Sequence, residues 1–331
     1  MVENIKKKKS KTLTGFKILS KLNFSRESLI LFLLFFAVCS YAFGQKGAAM
    51  KRDTAKGFDF YIYPGMYVGN KKNANYYRGY PSETEKEYLE PDPNINYVLN
   101  NEYQQRAIID LIRKNHHNVA ASNPGDIWLN NLSGMRYSVN MSFGIGARYR
   151  FTKNLSIGVT LTQARMTAQG FAYLHVKIYE PNSNDELKYP LVGKERRTAF
   201  DLTAQYIFST KGMVAPLLEA GTHVNNTKVL SAELVVEGTS FSMINPFGQN
   251  YDPNINQTNL NPKLGGVGYG FSAGAGLRIS FNKWAALEPV IQFRLEKINL
   301  ANYDYMAPNY HFMLRLVMGD GFFARKKNSN N

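Results

Sequence analysis

Residues 136–151, RYSVNMSFGIGARYRF, alternate in polarity from end to end. Tyr137, Val139, Met141, Phe143, Ile145, Ala147, Tyr149 and Phe151 are apolar, whereas Arg136, Ser138, Asn140, Ser142, Gly144, Gly146, Arg148 and Arg150 are polar or small. A period of two puts these sets on opposite faces of one strand. Globular strands commonly run about 5 to 6 residues. An alternation this long predicts a tilted membrane strand of about 9 to 11 residues that continues past the bilayer.

Residues 266–281, GVGYGFSAGAGLRISF, repeat the pattern: Val267, Tyr269, Phe271, Ala273, Ala275, Leu277, Ile279 and Phe281 share one face, and five glycines, two serines and Arg278 share the other. Each glycine would cost about 1 kcal/mol relative to alanine in a helix, so a helix is excluded. In a strand the small residues let the wall curve and leave room for longer side chains from neighbouring strands. Weaker copies cover 58–68, 155–162, 198–208, 214–224, 285–295 and 310–318. Tight turns at Thr152-Lys153-Asn154, Thr210-Lys211-Gly212-Met213 and Asn282-Lys283-Trp284 alternate with much longer joins. The pattern predicts an all-β fold: a closed antiparallel transmembrane β-barrel of about eight strands, with short periplasmic turns and long extracellular loops.

Composition agrees. The 331 residues include 21 Tyr and 21 Phe but only 2 Trp, an enrichment that suits pleated surfaces and interface girdles. A mean hydropathy of −0.33 argues against a bundle of membrane helices. A single cysteine, Cys39, excludes an intramolecular disulfide. The formal charge of +15 divides into +6 over residues 1–44, where eight Lys or Arg meet Glu3 and Glu27, and +9 over the rest. That remainder is scattered, with no basic block for a nucleic acid, and its natural partners are outer-membrane lipid and lipopolysaccharide.

Leu29 to Phe43, LILFLLFFAVCSYAF, is an uncharged run behind a Lys-rich leader, shorter than the roughly 20 residues of a spanning helix. With Ala42 and Gly44 at the −3 and −1 positions, it reads as a signal peptide (residues 1–44) cut before Gln45. Alternatives are an uncleaved anchor and a lipoprotein acylated on Cys39. A periplasmic segment (45–56), the barrel (57–323) and a polar tail (324–331) follow.

The phrase "aromatic, polar turn with Lys, apolar-x-Glu" recurs. It stands as Tyr149-Arg150-Phe151-Thr152-Lys153-Asn154-Leu155, as Tyr206-Ile207-Phe208 with Leu218-Glu219-Ala220-Gly221, and as Leu277-Arg278-Ile279-Ser280-Phe281-Asn282-Lys283-Trp284 with Leu287-Glu288-Pro289. In this it resembles the small outer-membrane barrels of the OmpA/OmpX type, over most of residues 57–319. The resemblance implies a fold and an outer-membrane location in a Gram-negative bacterium, not an activity. Phe322 and Phe323 are followed by Ala324-Arg325-Lys326-Lys327, a departure from barrels that end on an aromatic residue.

Counted from the turns, Arg148, Arg278 and Glu288 each lie five residues from a turn lysine, and Glu219 sits at a comparable height. All four fall on inward positions near the periplasmic end. An isolated charge in a narrow, poorly hydrated lumen costs several kcal/mol, so they are expected to pair in one layer, structural or gating. Asp59, Asp201, Gln205, Gln292, Arg294, Glu296, His311 and Arg315 are placed higher on inward positions. The five histidines stand in no hydrolase or phosphate-binding motif, and the neighbours His116 and His117 point in different directions. No enzyme activity, cofactor or metal is expected.

Residues 69–135 form a long connection rich in tyrosine, with a helix near 102–114 whose apolar stripe is Ala107, Ile108, Leu111 and Ile112, read as a lid over the barrel mouth. Its tyrosines also suit docking of a protein or glycan. Residues 225–264 are read as an irregular Asn- and Pro-rich loop whose first part, 229–237, extends a strand. Together these features predict a non-enzymatic membrane anchor or surface-interaction protein. A passive conduit for a small solute is the alternative, disfavoured because an aqueous channel generally needs about 16 strands. Export should remove residues 1–44, so the intact mass of the mature protein should correspond to a chain beginning at Gln45; a product retaining Met1 would contradict the signal-peptide reading.

Overall fold

The computed structural model describes residues 56–79, 92–179, 186–208, 212–244, 264–281, 285–300 and 305–319. The leader, most of segment 45–56, residues 209–211 and 282–284 of two turns, the Asn-rich stretch 245–263 and the tail lie outside the described residues. After β1 (Gly57–Val68) come α1 (Lys71–Ala74), a 3₁₀ turn (Asn75–Arg78), α2 (Ile95–Leu99) and α3 (Glu102–Asn115). The strands β2 (Ile127–Leu132), β3 (Arg136–Tyr137), β4 (Asn140–Arg150), β5 (Leu155–Val176) and β6 (Glu186–Ile207) follow. The chain continues through β7 (Val214–Val236), β8 (Thr239–Ser242), β9 (Val267–Ser280), β10 (Ala285–Lys297) and β11 (Met306–Gly319).

Eight strands form a closed ring, in the order β1, β4, β5, β6, β7, β9, β10, β11 and back to β1, all antiparallel. The first and last strands seal it, from Asp59 opposite Gly319 to Val68 opposite Tyr310. Alternation decides the faces. Met141, Phe143 and Ile145 of β4 are exposed on the outer wall, while Asn140, Ser142, Arg148 and Arg150 are buried inside. Gly144 and Gly146 lie directly beneath the rings of Tyr63 and Tyr61, where any Cβ would collide. The missing side chains let both tyrosines reach over β4 to β5, where their hydroxyls meet Thr162 and Thr160 at 2.5 Å each.

On β5, β6 and β7 the alternation continues but its polarity reverses. Low on β5, Ile157, Val159 and Leu161 face out and Ser156, Thr160 and Thr162 face in; higher up, Gln163, Arg165 and Gln169 face out and Ala164, Met166, Ala168, Ala172, Leu174 and Val176 face in. The reversal falls between Phe200 and Thr198 on β6 and between Val224 and Asn226 on β7, and Gln163 is paired with Thr198 and Thr198 with Asn226. One continuous line of register therefore separates a wall that faces hydrocarbon from a wall that faces water.

Above that line the inward apolar residues form a core with the helices, including Tyr77, Val98, Ile108, Ile112, Met135, Leu174, Leu191 and Leu234. Helix α3 starts at Asn101, whose side chain accepts from the N–H groups of Tyr103 and Gln104 at 3.1 Å, and it buries Gln105, Ile108, Ile109 and Ile112. Strands β7 and β8 turn at Glu237 and Gly238, both at positive φ, as a tight two-residue hairpin requires. The Glu237 carboxylate contacts His116, beside the end of α3, and accepts from Tyr189 of β6, each at 3.2 Å, tying the helix to the hairpin tip.

Three elements differ from the sequence expectation. Residues 136–151 are not one strand: Ser138 and Val139 interrupt it, because Arg136 and Tyr137 pair with Gln169 and Ala168 above the reversal, away from the lipid-facing β4. The strands read as 155–162, 198–208 and 214–224 are 22 to 23 residues long; reversed polarity hid the upper halves of the first two, whereas the alternation over 229–237 belongs to the third. In α3, Ile109 replaces Ala107 in the buried stripe, and Ala107 is exposed. The reversal is testable. Val159→Arg, outward and below it, should destabilise the folded barrel by about 2 to 4 kcal/mol near mid-bilayer, whereas Gln163→Arg on the same face should be close to neutral. Urea unfolding in lipid vesicles measures both, and equal costs would refute the boundary.

Candidate functional site

The lumen is filled by side chains in ionic layers. At the base, Arg148 of β4 grips Glu288 of β10 through both terminal nitrogens, at 2.8 and 2.6 Å. Arg278 of β9 donates to the same carboxylate at 3.0 Å. Arg148 also donates to Asp59 at 3.3 Å, and Arg150 lies 3.3 Å from the other Asp59 oxygen. Gln205 of β6 accepts from Arg148 at 2.5 Å and donates to Glu288 at 3.4 Å. Six residues from five strands thus close the end of the lumen beside the tight turns.

Glu219 stands apart from this layer and pairs with Arg315 of β11, at 2.5 and 2.9 Å, with Gln292 donating to it at 3.3 Å. The ring of Tyr61 lies between the two layers, with the guanidinium of Arg148 5.6 Å and that of Arg315 5.4 Å from its centroid. Of the residues placed higher by counting, Asp59 and Gln205 belong to the base, since Asp59 is the register partner of Arg148. Counting along one strand cannot show this: the offset between strands sets the height, and β1 enters the ring beside the end of β4.

Further up, Asp201 pairs with Arg294 at 2.8 Å, Ser142 meets His311 at 2.8 Å, and Glu296 is held by His223 and Asn309 at 2.9 Å each. At the level of the polarity reversal, Arg197 pairs with Glu195 at 2.5 Å and donates to the Tyr137 hydroxyl at 3.0 Å, and Tyr77 donates to Glu195 at 2.5 Å. The Arg197 guanidinium also lies over the rings of Tyr137 and Tyr67, at 5.0 and 5.5 Å. Glu195 and Arg197 escaped the sequence reading because they sit beyond a strand end drawn too short; Tyr77, in the 3₁₀ turn, counted only among the tyrosines of the long connection. Among the described residues, six buried arginines (148, 150, 197, 278, 294 and 315) face six buried carboxylates (Asp59, Glu195, Asp201, Glu219, Glu288 and Glu296).

Outside the membrane strands, the backbone N–H groups of Ser122 and Asn123, helped by Lys177, hold the Asp126 carboxyl below its ordinary range and fix the entry to β2. Among the described residues, no three His, Cys, Asp or Glu side chains gather as a metal site. Tyr76 and Tyr77 are buried, so they offer nothing to a partner, whereas Tyr103 on α3 is 87% exposed.

No family model and no curated protein sequence matches the chain. Solved structures do. Neisserial surface protein A (NspA) is 10% identical over 80% of this chain and 99% of its own, with a TM-score of 0.38. Outer membrane protein OprG from Pseudomonas aeruginosa is 13% identical over 81% and 97%, at 0.31, and Ail, the attachment invasion locus protein of Yersinia pestis, is 10% identical over 80% and 97%, at 0.31. The chain is similar to small outer-membrane β-barrels. At such identities and TM-scores the likeness adds nothing about activity, and the closed ring stands on the strand pairing of this chain.

Breaking the base layer should be costly. Glu288→Gln leaves two arginines facing a neutral amide, and removing one partner of a dry buried pair typically costs about 3 to 5 kcal/mol. In a double-mutant cycle with Arg148→Met, measured by urea unfolding in micelles, the double variant should lose less than the sum of the singles. Additive losses would mean that the bidentate contact carries no coupling and that water occupies this level.

Proposed function

We propose that this chain is a closed, non-conducting barrel of the outer membrane of a Gram-negative bacterium. It acts as an anchor that presents a folded cap at the cell surface and performs neither catalysis nor transport. The observation that carries the reading is the filled lumen. Six paired arginines and carboxylates run its length, and the Glu195, Arg197, Tyr77 and Tyr137 group lies at its upper end beneath an apolar core. Ions crossing such a barrel would have to break several buried ion pairs in series, each worth kcal/mol in a low-dielectric interior. An eight-strand barrel has room for its own side chains and little else.

The cap is the part of the molecule available to a partner. It is a braced extension of three barrel strands, tied to α3 through Glu237, and a rigid platform limits the ordering cost of binding. Trp128, stacked on His175 at 5.4 Å, and Phe171, with Lys188 3.9 Å from its ring centroid, are exposed on its outer wall and give a protein or glycan aromatic area to rest on. The test is electrical. Purified mature protein reconstituted in a planar bilayer should show no steady conductance, even after inserted, heat-modifiable barrel has been demonstrated in the same preparation. Reproducible unitary steps would overturn the closed reading in favour of a conduit for small solutes.

A further inference from the structure

The line of polarity reversal carries a cluster of charge on its outer side. Arg165 of β5 is the direct cross-strand partner of Arg196 of β6, and Arg196 is the direct partner of Lys228 of β7. All three are exposed and point outward, two outward positions above Leu161, Phe200 and Val224, where the continuous apolar band of these strands ends. Neighbouring strands lie about 4.8 Å apart, so the three cations occupy a strip about 10 Å wide. Like charges placed directly opposite on a sheet repel and destabilise it. Among the described residues none of the three meets a carboxylate; their outward neighbours Gln163, Thr167, Thr198, Asn226 and Leu230 are neutral, and Lys194, the next outward residue of β6, adds a fourth cation. Among the described residues of β5–β7, the first outward carboxylate above the three cations on β7 is Glu233, opposite Val192. Three cations in register without an acid among them call for an external anion.

Directly below runs an apolar groove of about 400 Å³ in the outer wall. Ala147 forms its floor, with Phe60 and Val159 as register partners on either side, and Leu161 and Phe200 form its upper end. Leu161 and Phe200 pair with each other, and four residues further along the same two strands stand Arg165 and Arg196, about 13 Å away at the rise of a strand. Groove and cations are thus consecutive stretches of one surface, apolar where hydrocarbon lies and cationic where headgroups lie.

We infer that this surface is a specific site for a phosphorylated, multiply acylated lipid of the outer leaflet, with an acyl chain in the groove over Ala147 and phosphate on Arg165, Arg196 and Lys228. The inference rests on the proposed outer-membrane placement and assigns the lipid to the β5–β7 sector of the ring. Charge complementarity selects the occupant. A neutral lipid would fill the groove but leave the cations opposed, and free phosphate would relieve the cations but leave the groove empty.

The experiment titrates the refolded mature chain, in non-ionic micelles, with diphosphoryl lipid A, with its dephosphorylated form and with inorganic phosphate, and follows the bound species by native mass spectrometry. Unsubstituted protein should retain one diphosphoryl lipid A in preference to the other two. The triple variant Arg165→Gln, Arg196→Gln, Lys228→Gln should bind it on the order of a hundredfold more weakly, at about fivefold for each cation near a membrane surface. Arg196→Gln alone should show about fivefold, which keeps the test open if the triple variant does not fold. A charge-matched control, Arg113→Gln, Lys114→Gln and Lys153→Gln, should bind as the parent does. Ala147→Trp, which fills the groove, should weaken lipid A and leave inorganic phosphate unchanged. Equal binding of the dephosphorylated lipid, equal losses in the control, or retention of phosphate as tightly as lipid A would each overturn the site. Heat-modifiable mobility and insertion into phosphatidylcholine vesicles are measured on the same samples. A parent protein that does not insert indicts the membrane placement, whereas an inserted barrel indifferent to phosphate indicts the lipid site alone.

Discussion

Everything in this molecule follows from the pairing of β1 with β11. In hydrocarbon an unpaired backbone N–H or C=O finds no water and costs several kcal/mol, so a sheet can cross only if it has no edge. Joining the first strand to the last removes both edges at once. With eight strands the closure fixes a narrow bore, just wide enough for side chains. That in turn constrains what can point inward. A charge in such a space has no solvent and must find its counter-charge on another strand, as Glu288 does with arginines of β4 and β9.

The same backbone serves two solvents. Register passes unbroken from Leu155 opposite Tyr206 to His175 opposite Glu186, so nothing in the hydrogen bonding of the β5–β6 hairpin marks the point where it leaves the lipid-facing zone. Only the side chains do, and they do so by exchanging faces. Below the line the outer face is apolar to match hydrocarbon; above it the outer face is mainly polar, with Trp128, Phe171 and Leu230 as its large apolar exceptions, and most of the apolar set turns inward to build a core with the helices. The cap is therefore the upper part of the barrel wall itself. Where the two regimes meet, the inward residues change from ionic to apolar, and Glu195 and Arg197 occupy that junction as a pair two residues apart on one strand.

Much of this was legible in the sequence, and its limits have physical causes. Strand parity is local, so Phe143 and Ile145 outward and Ser142 and Arg148 inward could be read directly from the alternation. Strand length on β5 and β6 could not, because the run of outward apolar residues ends at Leu161 and Phe200 although the strands do not, whereas the alternation over 229–237 did show the upper part of β7. Which charges share a layer is a property of the offset between strands. Arg148 and Asp59 lie nearly 90 positions apart in sequence and meet because β1 pairs with β4, while Glu219, at the right height by counting, reaches Arg315 across the bore. In α3 the buried face is Gln105, Ile108, Ile109 and Ile112, at i, i+3, i+4 and i+7, and it includes the polar Gln105, which a search for apolar residues alone passes over in favour of Ala107.

An apolar filling for the lumen would be no less stable in principle, since replacing buried ion pairs by well-packed hydrophobic residues is often neutral or favourable. Its defect lies in register. A slip of one residue between neighbouring strands exchanges the two faces of every side chain that follows. If both faces were apolar the slipped sheet would cost little, and several ring closures would compete. With Asp59, Arg148, Glu219, Glu288 and Arg315 on the inner face, a one-residue slip drives unpaired charges into hydrocarbon and empties their partners' sites, at several kcal/mol for each charge. The buried ions destabilise the wrong registers more than they stabilise the right one, so a chain with eight nearly interchangeable strands can close in a single way.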